Sequence, residues 1–229
     1  EPEPEPEPEP VYVPSGTNPL TGLPMEEEYE DLRPISIMLN NSKDAQPQLG
    51  VSQADIIYEI PAEGGITRMV GFFQDLTNVG TIGSTRSART YLNSVAYSYR
   101  AVLAHAGASD FARHGQYDYA GNRLPVYDHI DWGLHPKYTY RDQDRLNAGY
   151  AWEHCLFTTG EDLQQALTDL EFDMVMEEGI DYGLTFDEEP EIMGDSATNL
   201  VITFQGDKTT TFEWNQDRGL YEAYQFDGP

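Results

Sequence analysis

Residues 55–74 read DIIYEIPAEGGITRMVGFFQ, and their pattern decides the fold class. Asp55 to Ile60 and Ile66 to Gln74 are apolar, β-branched and aromatic runs of strand length. The Pro-Ala-Glu-Gly-Gly stretch between them, residues 61–65, has the composition of a hairpin connection, with glycines to supply positive φ. Upstream, PISIMLN at 34–40 alternates and reads as a third strand, after a turn-forming NPLTGLP at 18–24 and before a breaker-rich loop at 41–50. Downstream, residues 85–100 (TRSARTYLNSVAYSYR) carry Ala88, Tyr91, Leu92, Val95 and Tyr99 at helical spacing, which predicts a helix from Thr85. AVLAHA at 101–106 reads as a buried strand, and Gly107 as a turn into a short helix over Ser109 to His114.

Residues 116–150 show little period and are expected to form a long irregular excursion, with one short strand near Leu124 to Tyr127. His154 to Thr158 is a strand candidate, and Thr159-Gly-Glu-Asp opens a helix to Leu170 with acids in its first turn. From Asn199 the pattern is all-β: NLVITFQ, TTTFEWN, a turn at 217–219, then LYEAYQF. The fold class expected is α+β, a mixed sheet with packed helices in a layered sandwich, followed by a partial antiparallel β-domain. The expected organisation is a disordered Glu-Pro linker at 1–17, an α+β domain at 18–195, and an incomplete β-domain at 196–229. That last domain is expected to be cut within its meander.

Composition excludes several functions. The 229 residues carry 40 acids against 13 bases, a net charge of −27, which excludes the counterion-releasing contacts that nucleic-acid binding needs. No apolar run is long enough to span a membrane. The single Cys155 can form neither an internal disulfide nor a zinc site, and no P-loop, Gly-x-Gly-x-x-Gly or Gly-x-Ser-x-Gly motif occurs. Asp128, His129, Asp131 and His135 are of metal-ligand type, but their spacing fits no recognised site, so neither metal nor cofactor is expected. The charge is uneven. Residues 33–160 hold eleven of the bases, so an anion site belongs there. The strict Glu-Pro repeat of 1–10 favours extended polyproline II and reads as a spacer.

Gly83-Ser-Thr-Arg86-Ser-Ala-Arg89 is the most informative stretch. In the first turn of a helix, Arg86 and Arg89 oppose each other and the dipole, so an anion, or carboxylates such as Asp55, Glu59 and Glu63, would relieve the conflict. Three readings stay open: an anionic ligand, a buried arginine–carboxylate network, or a solvated face. Arg68, Ser109, Arg141, Arg145 and His154 are further ligand-binding candidates. Asp55, Glu59 and His105 are the candidates for catalysis, with His105 at a strand–turn–helix junction or simply a satisfied core histidine.

These motifs resemble the YerB-like, or DUF3048, family of uncharacterised bacterial lipoproteins. The resemblance rests on Met38-Leu-Asn-Asn41, Gln46-Pro-Gln48, Ala54-Asp55-Ile-Ile-Tyr-Glu59, Glu63-Gly-Gly-Ile-Thr-Arg68, Arg86-Ser-Ala-Arg89, His105-Ala-Gly-Ala-Ser109, Tyr140-Arg141-Asp142, Arg145 and His154-Cys-Leu-Phe-Thr-Thr159. It implies an extracytoplasmic domain, tethered to the membrane through a lipidated cysteine upstream, and it brings no established activity. A second resemblance, of fold-level kind, is to the LytR-CpsA-Psr cell-wall phosphotransferases, which bind pyrophosphate-linked lipids. The functional expectation is a domain that binds an anionic, phosphate-bearing glycan or lipid head group of the cell envelope. The alternatives are a phosphotransferase or hydrolase of a cell-wall phosphodiester, and a non-catalytic scaffold.

Overall fold

A computed structural model describes residues 14–109, 128–187, 191, 193–205 and 208–226. Its centre is a five-stranded sheet in the order β4-β5-β3-β7-β8. Strand β5 (Thr67–Phe73) runs antiparallel to both its neighbours, β3 (Ile35–Asn41) and β4 (Ile56–Pro61), and β7 (Val102–His105) and β8 (His129–Asp131) continue the sheet in parallel with β3. Short strands β1 (Gly16–Thr17) and β2 (Pro24–Met25) pair at the entry to the fold.

β3 alternates in sequence yet is buried at all seven positions, because both faces of the sheet are covered. Ile35, Ile37 and Leu39 pack with Leu163, Ala166 and Leu167 of α3 (Gly160–Asp169). Met38, Val70, Phe72 and Leu103 pack with Leu92 and Ala96 of α1 (Thr90–Ser98). Phe72, Phe73, Phe157 and Trp132 are among the largest fully buried side chains, each contributing about 1.5–3 kcal/mol by leaving water. The layered α+β sandwich is thus the architecture expected from sequence. A second sheet, β6 (Thr81–Gly83)–β10 (Leu156–Thr159)–β9 (Tyr140–Arg141), leads directly into α3, whose N-cap Thr159 accepts the Asp162 N–H at 3.0 Å.

Three expectations need correction. The helix begins at Thr90, not Thr85, with Arg89 at its N-cap. Residues 84–89 are held extended instead: Thr85 N donates to Leu156 O, Arg86 N to Met38 O and Ala88 N to Gly107 O, at 2.8, 2.8 and 2.9 Å. Partners from three other segments outcompete the local helical bonds. The excursion is also more regular than expected: its described part contains β8, β9 and the helix α2 (Gln143–Asn147), capped by the Asp142 carboxylate. Finally, His154 closes a 3-10 turn before β10 rather than opening the strand. The Glu-Pro repeat, most of the helix expected from Ser109, and the short strand near Leu124 lie outside the described residues.

The C-terminal segment forms an antiparallel meander of β11 (Asn199–Thr203), β12 (Thr209–Asn215) and β13 (Leu220–Gln225), as its pattern predicts. Lys208, at the root of β12, reaches Glu59 of β4 at 2.9 Å and ties the meander to the central sheet.

Candidate functional site

Because β3, β7 and β8 run parallel and β5 runs against them, their polar ends meet at one edge. Asn40 and Asn41 end β3, His105 ends β7, Asp131 ends β8, and Arg68 lies opposite Asn40 near the start of β5. The carboxyl edge of parallel strands is where open α/β sheets place ligands. Strand alternation divides these residues between the two faces. Arg68 and Asn40 fall on the α1 face with Met38, while Asn41 and Thr67 fall on the other.

Three arginines gather on the α1 face. Arg68 is 4% exposed, and its Nη1 donates to Ser87 O at 2.6 Å. Arg89 donates from Nη1 to Ala88 O at 2.9 Å and from Nε to Glu63 Oε1 at 2.7 Å, and Glu63 Oε2 lies 3.8 Å from Arg68 Nη2. Arg86 Nη2 meets Glu153 at 2.9 Å. Among the described residues, the buried Nε atoms of Arg68 and Arg86 have no hydrogen-bond partner. Burial pulls the Arg68 guanidinium down to about 10; repulsion from Arg89 and Arg86 adds to this, and the Glu63 charge opposes it. The Arg89 hydrogen bond in turn holds the Glu63 carboxyl below its ordinary range. Positive charge is therefore concentrated here beyond what the local carboxylates neutralise, in a protein of net charge −27.

Ser109 joins this group through its backbone, donating to Ala88 O at 3.4 Å. His105 is linked through Gly107, whose carbonyl lies 2.8 Å from His105 Nδ1 and also accepts from Ala88 N. A carbonyl can only accept, so Nδ1 carries a proton in His105, and its Nε2 lies in hydrogen-bond contact with His129 Nδ1 at 2.9 Å, accepting from it when His105 is neutral. The two rings stack with centroids 5.1 Å apart. Burial lowers the His129 pKa against the pull of Asp131 and Asp128. Asp131 accepts the N–H groups of Gly107 and Gly133, and no group of metal-ligating side chains forms among the described residues. His154 accepts the Asn40 amide at Nδ1, 2.8 Å away, which connects it to the arginine face.

The remaining candidates lie elsewhere. Arg145 is buried and donates to the carbonyls of Ala45, His154 and Pro47, with its guanidinium 4.7 Å from the Phe157 ring centroid. Arg141 donates to Trp152 O and stacks over the Trp152 ring at 4.1 Å. Both clamp backbone. Asp55 sits at the opposite edge of the sheet, bound to Asn18 at 2.8 Å and to Gln74 N at 2.7 Å; burial raises its pKa against those bonds. Glu59 is on the other face, where Lys208, Thr67, Thr210 and Asn41 all bond to it. Neither carboxylate reaches the arginines. Sequence reasoning missed Asn40, Glu153 and His129 as partners in this arrangement. Their only sequence signal was polarity at the end of a strand or beside a histidine.

Residues 20–173 match the family described as "Protein of unknown function (DUF3048) N-terminal domain". The chain belongs to the DUF3048 family. Among curated proteins it is similar to "Putative lipoprotein YerB" of Bacillus subtilis (strain 168), with 40% identity over 95 residues, 42% of this chain and 28% of the relative. The matched stretch therefore spans little more than a quarter of that relative's length. The crystal structure of YerB protein from Bacillus subtilis superposes with a TM-score of 0.70 over 93% of this chain and 67% of that chain, at 21% identity. That likeness carries the DUF3048 fold. No helix among the described residues is long and apolar enough to cross a membrane.

Proposed function

We propose that this DUF3048 domain is an extracytoplasmic, lipid-anchored module that binds an anionic, phosphate-bearing ligand of the cell envelope through Arg68, Arg86 and Arg89. One observation carries the reading: three guanidiniums share one edge of the sheet, with two buried Nε donors unpartnered among the described residues. Buried donors without partners cost about 1–3 kcal/mol each, and an oxyanion offers the acceptors they lack. The N-terminus of α1, which begins after Arg89 and carries no side-chain cap, adds N–H groups of the same polarity. The name of the lipoprotein relative and the Glu-Pro repeat support a tethered domain held clear of its anchor. In this reading residues 1–17 are the linker, 18–195 the binding domain, and 196–229 a β-segment joined to it.

The catalytic alternative loses its two carboxylate candidates, Asp55 and Glu59, which are engaged away from the arginines, and is left with His105, which reaches them through Gly107. The scaffold alternative draws on the Glu63 and Glu153 pairs. Arg86→Ala separates the two, read by calorimetric titration with methyl phosphate and by thermal melts. Binding predicts weakened affinity with a stability loss below about 1 kcal/mol, because Arg86 and Glu153 are 25% and 54% exposed. Unchanged affinity together with a large stability loss would favour the scaffold.

A further inference from the structure

Glu63 occupies the arginine site in a way that points to competition with the ligand. Its side chain is 60% exposed, on the turn Glu63–Gly65 that joins β4 to β5. Gly64 and Gly65 take φ of 78° and 77°, and a Cβ on either would meet nothing within 4 Å, so the turn stands in open space. Among the described residues, the ion pairs of the Glu63 carboxylate are the ones to Arg89 and Arg68. Both arginines are held independently of it, Arg68 by Ser87 O and Arg89 by Ala88 O. Glu63 can therefore swing away while the guanidiniums keep their places.

Resting on the anion-binding reading above, we propose that Glu63 is a built-in pseudo-ligand: an entering phosphate group must take its place on Arg89 and Arg68. The exchange sets a threshold on charge. A singly charged phosphodiester replaces one negative charge with another and gains little. A phosphate monoester carries nearly two charges at neutral pH and gains the second against Arg68, Arg86 and Arg89. The ligand class is accordingly a terminal phosphate, preferred over a bridging phosphodiester by its second charge. Releasing the carboxylate costs every ligand the same factor, so Glu63→Gln raises affinity for all of them about equally.

The test compares methyl phosphate with dimethyl phosphate at pH 8 and fixed ionic strength. It uses calorimetry and the Arg89 side-chain Nε–H resonance, on the wild-type chain, Glu63→Gln, Glu63→Ala and Arg89→Gln. Expected are wild-type binding of methyl phosphate, loss of that binding in Arg89→Gln, and a tightening of about two- to fivefold for both ligands in the Glu63 variants, the range of an exposed ion pair. Circular dichroism confirms the fold of each variant, and Glu63→Ala repeats the measurement should Glu63→Gln unfold. Binding that depends on Arg89 but is unchanged or weakened in the Glu63 variants overturns the pseudo-ligand and leaves the anion site standing. Absence of binding in every protein, Glu63 variants included, overturns the anion site itself.

Discussion

Lys208→Met should be among the most destabilising single changes in this protein, through Glu59. The two side chains are 2% and 12% exposed and lie 2.9 Å apart, so solvent screens the pair little. Removing one partner of a buried pair costs about 3–5 kcal/mol, because the other charge stays behind without compensation. Glu59 keeps neutral donors in Thr67 and Thr210, both at 2.6 Å, and Asn41 at 2.9 Å, which places the loss near the lower end, about 3 kcal/mol. Methionine retains most of the apolar stem, so the loss reports the charge rather than a cavity. For a chain of this length it corresponds to roughly 6–12 °C in melting temperature.

The pH dependence gives the cleaner check. Burial pushes the Glu59 pKa up, but bonds from Thr210, Thr67 and Lys208 outweigh it and hold the carboxyl below its ordinary 4.5. A depressed folded pKa means that its stabilisation is present above 4.5 and is lost as pH falls through the folded value. Without Lys208, burial is opposed by the threonines alone and the folded pKa should rise, so acidification costs the variant less than it costs the wild type. Urea unfolding followed by tryptophan fluorescence should show a deficit of about 3 kcal/mol at pH 7 that shrinks toward pH 3.5, and Glu59→Gln added to Lys208→Met should recover much of it. A deficit under about 1 kcal/mol at pH 7, or one that does not change with pH, would refute the reasoning.

Arg145→Ala should cost about 3 kcal/mol or more in urea unfolding, since it strips donors from the Ala45, His154 and Pro47 carbonyls; a loss under 1 kcal/mol would mean that water replaces them freely. Thr159→Ala should cost about 1 kcal/mol and raise amide exchange in the first turn of α3, where it is the cap; unchanged exchange would count against that role. Bonds from Lys137, Tyr138 and Gln165 hold the Asp169 carboxyl at about 2, so its carbon resonance should titrate there, and Lys137→Ala should move the midpoint upward; an ordinary aspartate midpoint in the wild type would contradict the geometry.

Much of the site was legible residue by residue, and little of its geometry was. Arg86 and Arg89 stand out in GSTRSAR because cations that close together need an explanation, and the structure supplies Glu153 and Glu63. Their helical placement failed because the backbone partners of residues 85–88 come from Met38, Leu156 and Gly107, distant in sequence. Asp55 and Glu59 look equivalent as neighbouring acids on one strand. Four residues of extended chain, about 13 Å, instead carry them to different ends of the sheet.

Sequence by itself determined the strands of the 55–74 hairpin, the buried strand before His105, the capped helix after Thr159 and the C-terminal meander, because periodicity and turn chemistry are local. It also determined the excess of acid and the concentration of bases between residues 33 and 160. Tertiary structure alone decided that β3 is covered on both faces, that residues 84–89 run extended, and that Glu59 belongs to Lys208 while Glu63 belongs to the arginines. The physical reason is the same in each case: burial and hydrogen-bond partnership depend on segments far away along the chain, and no local pattern records which of them will arrive.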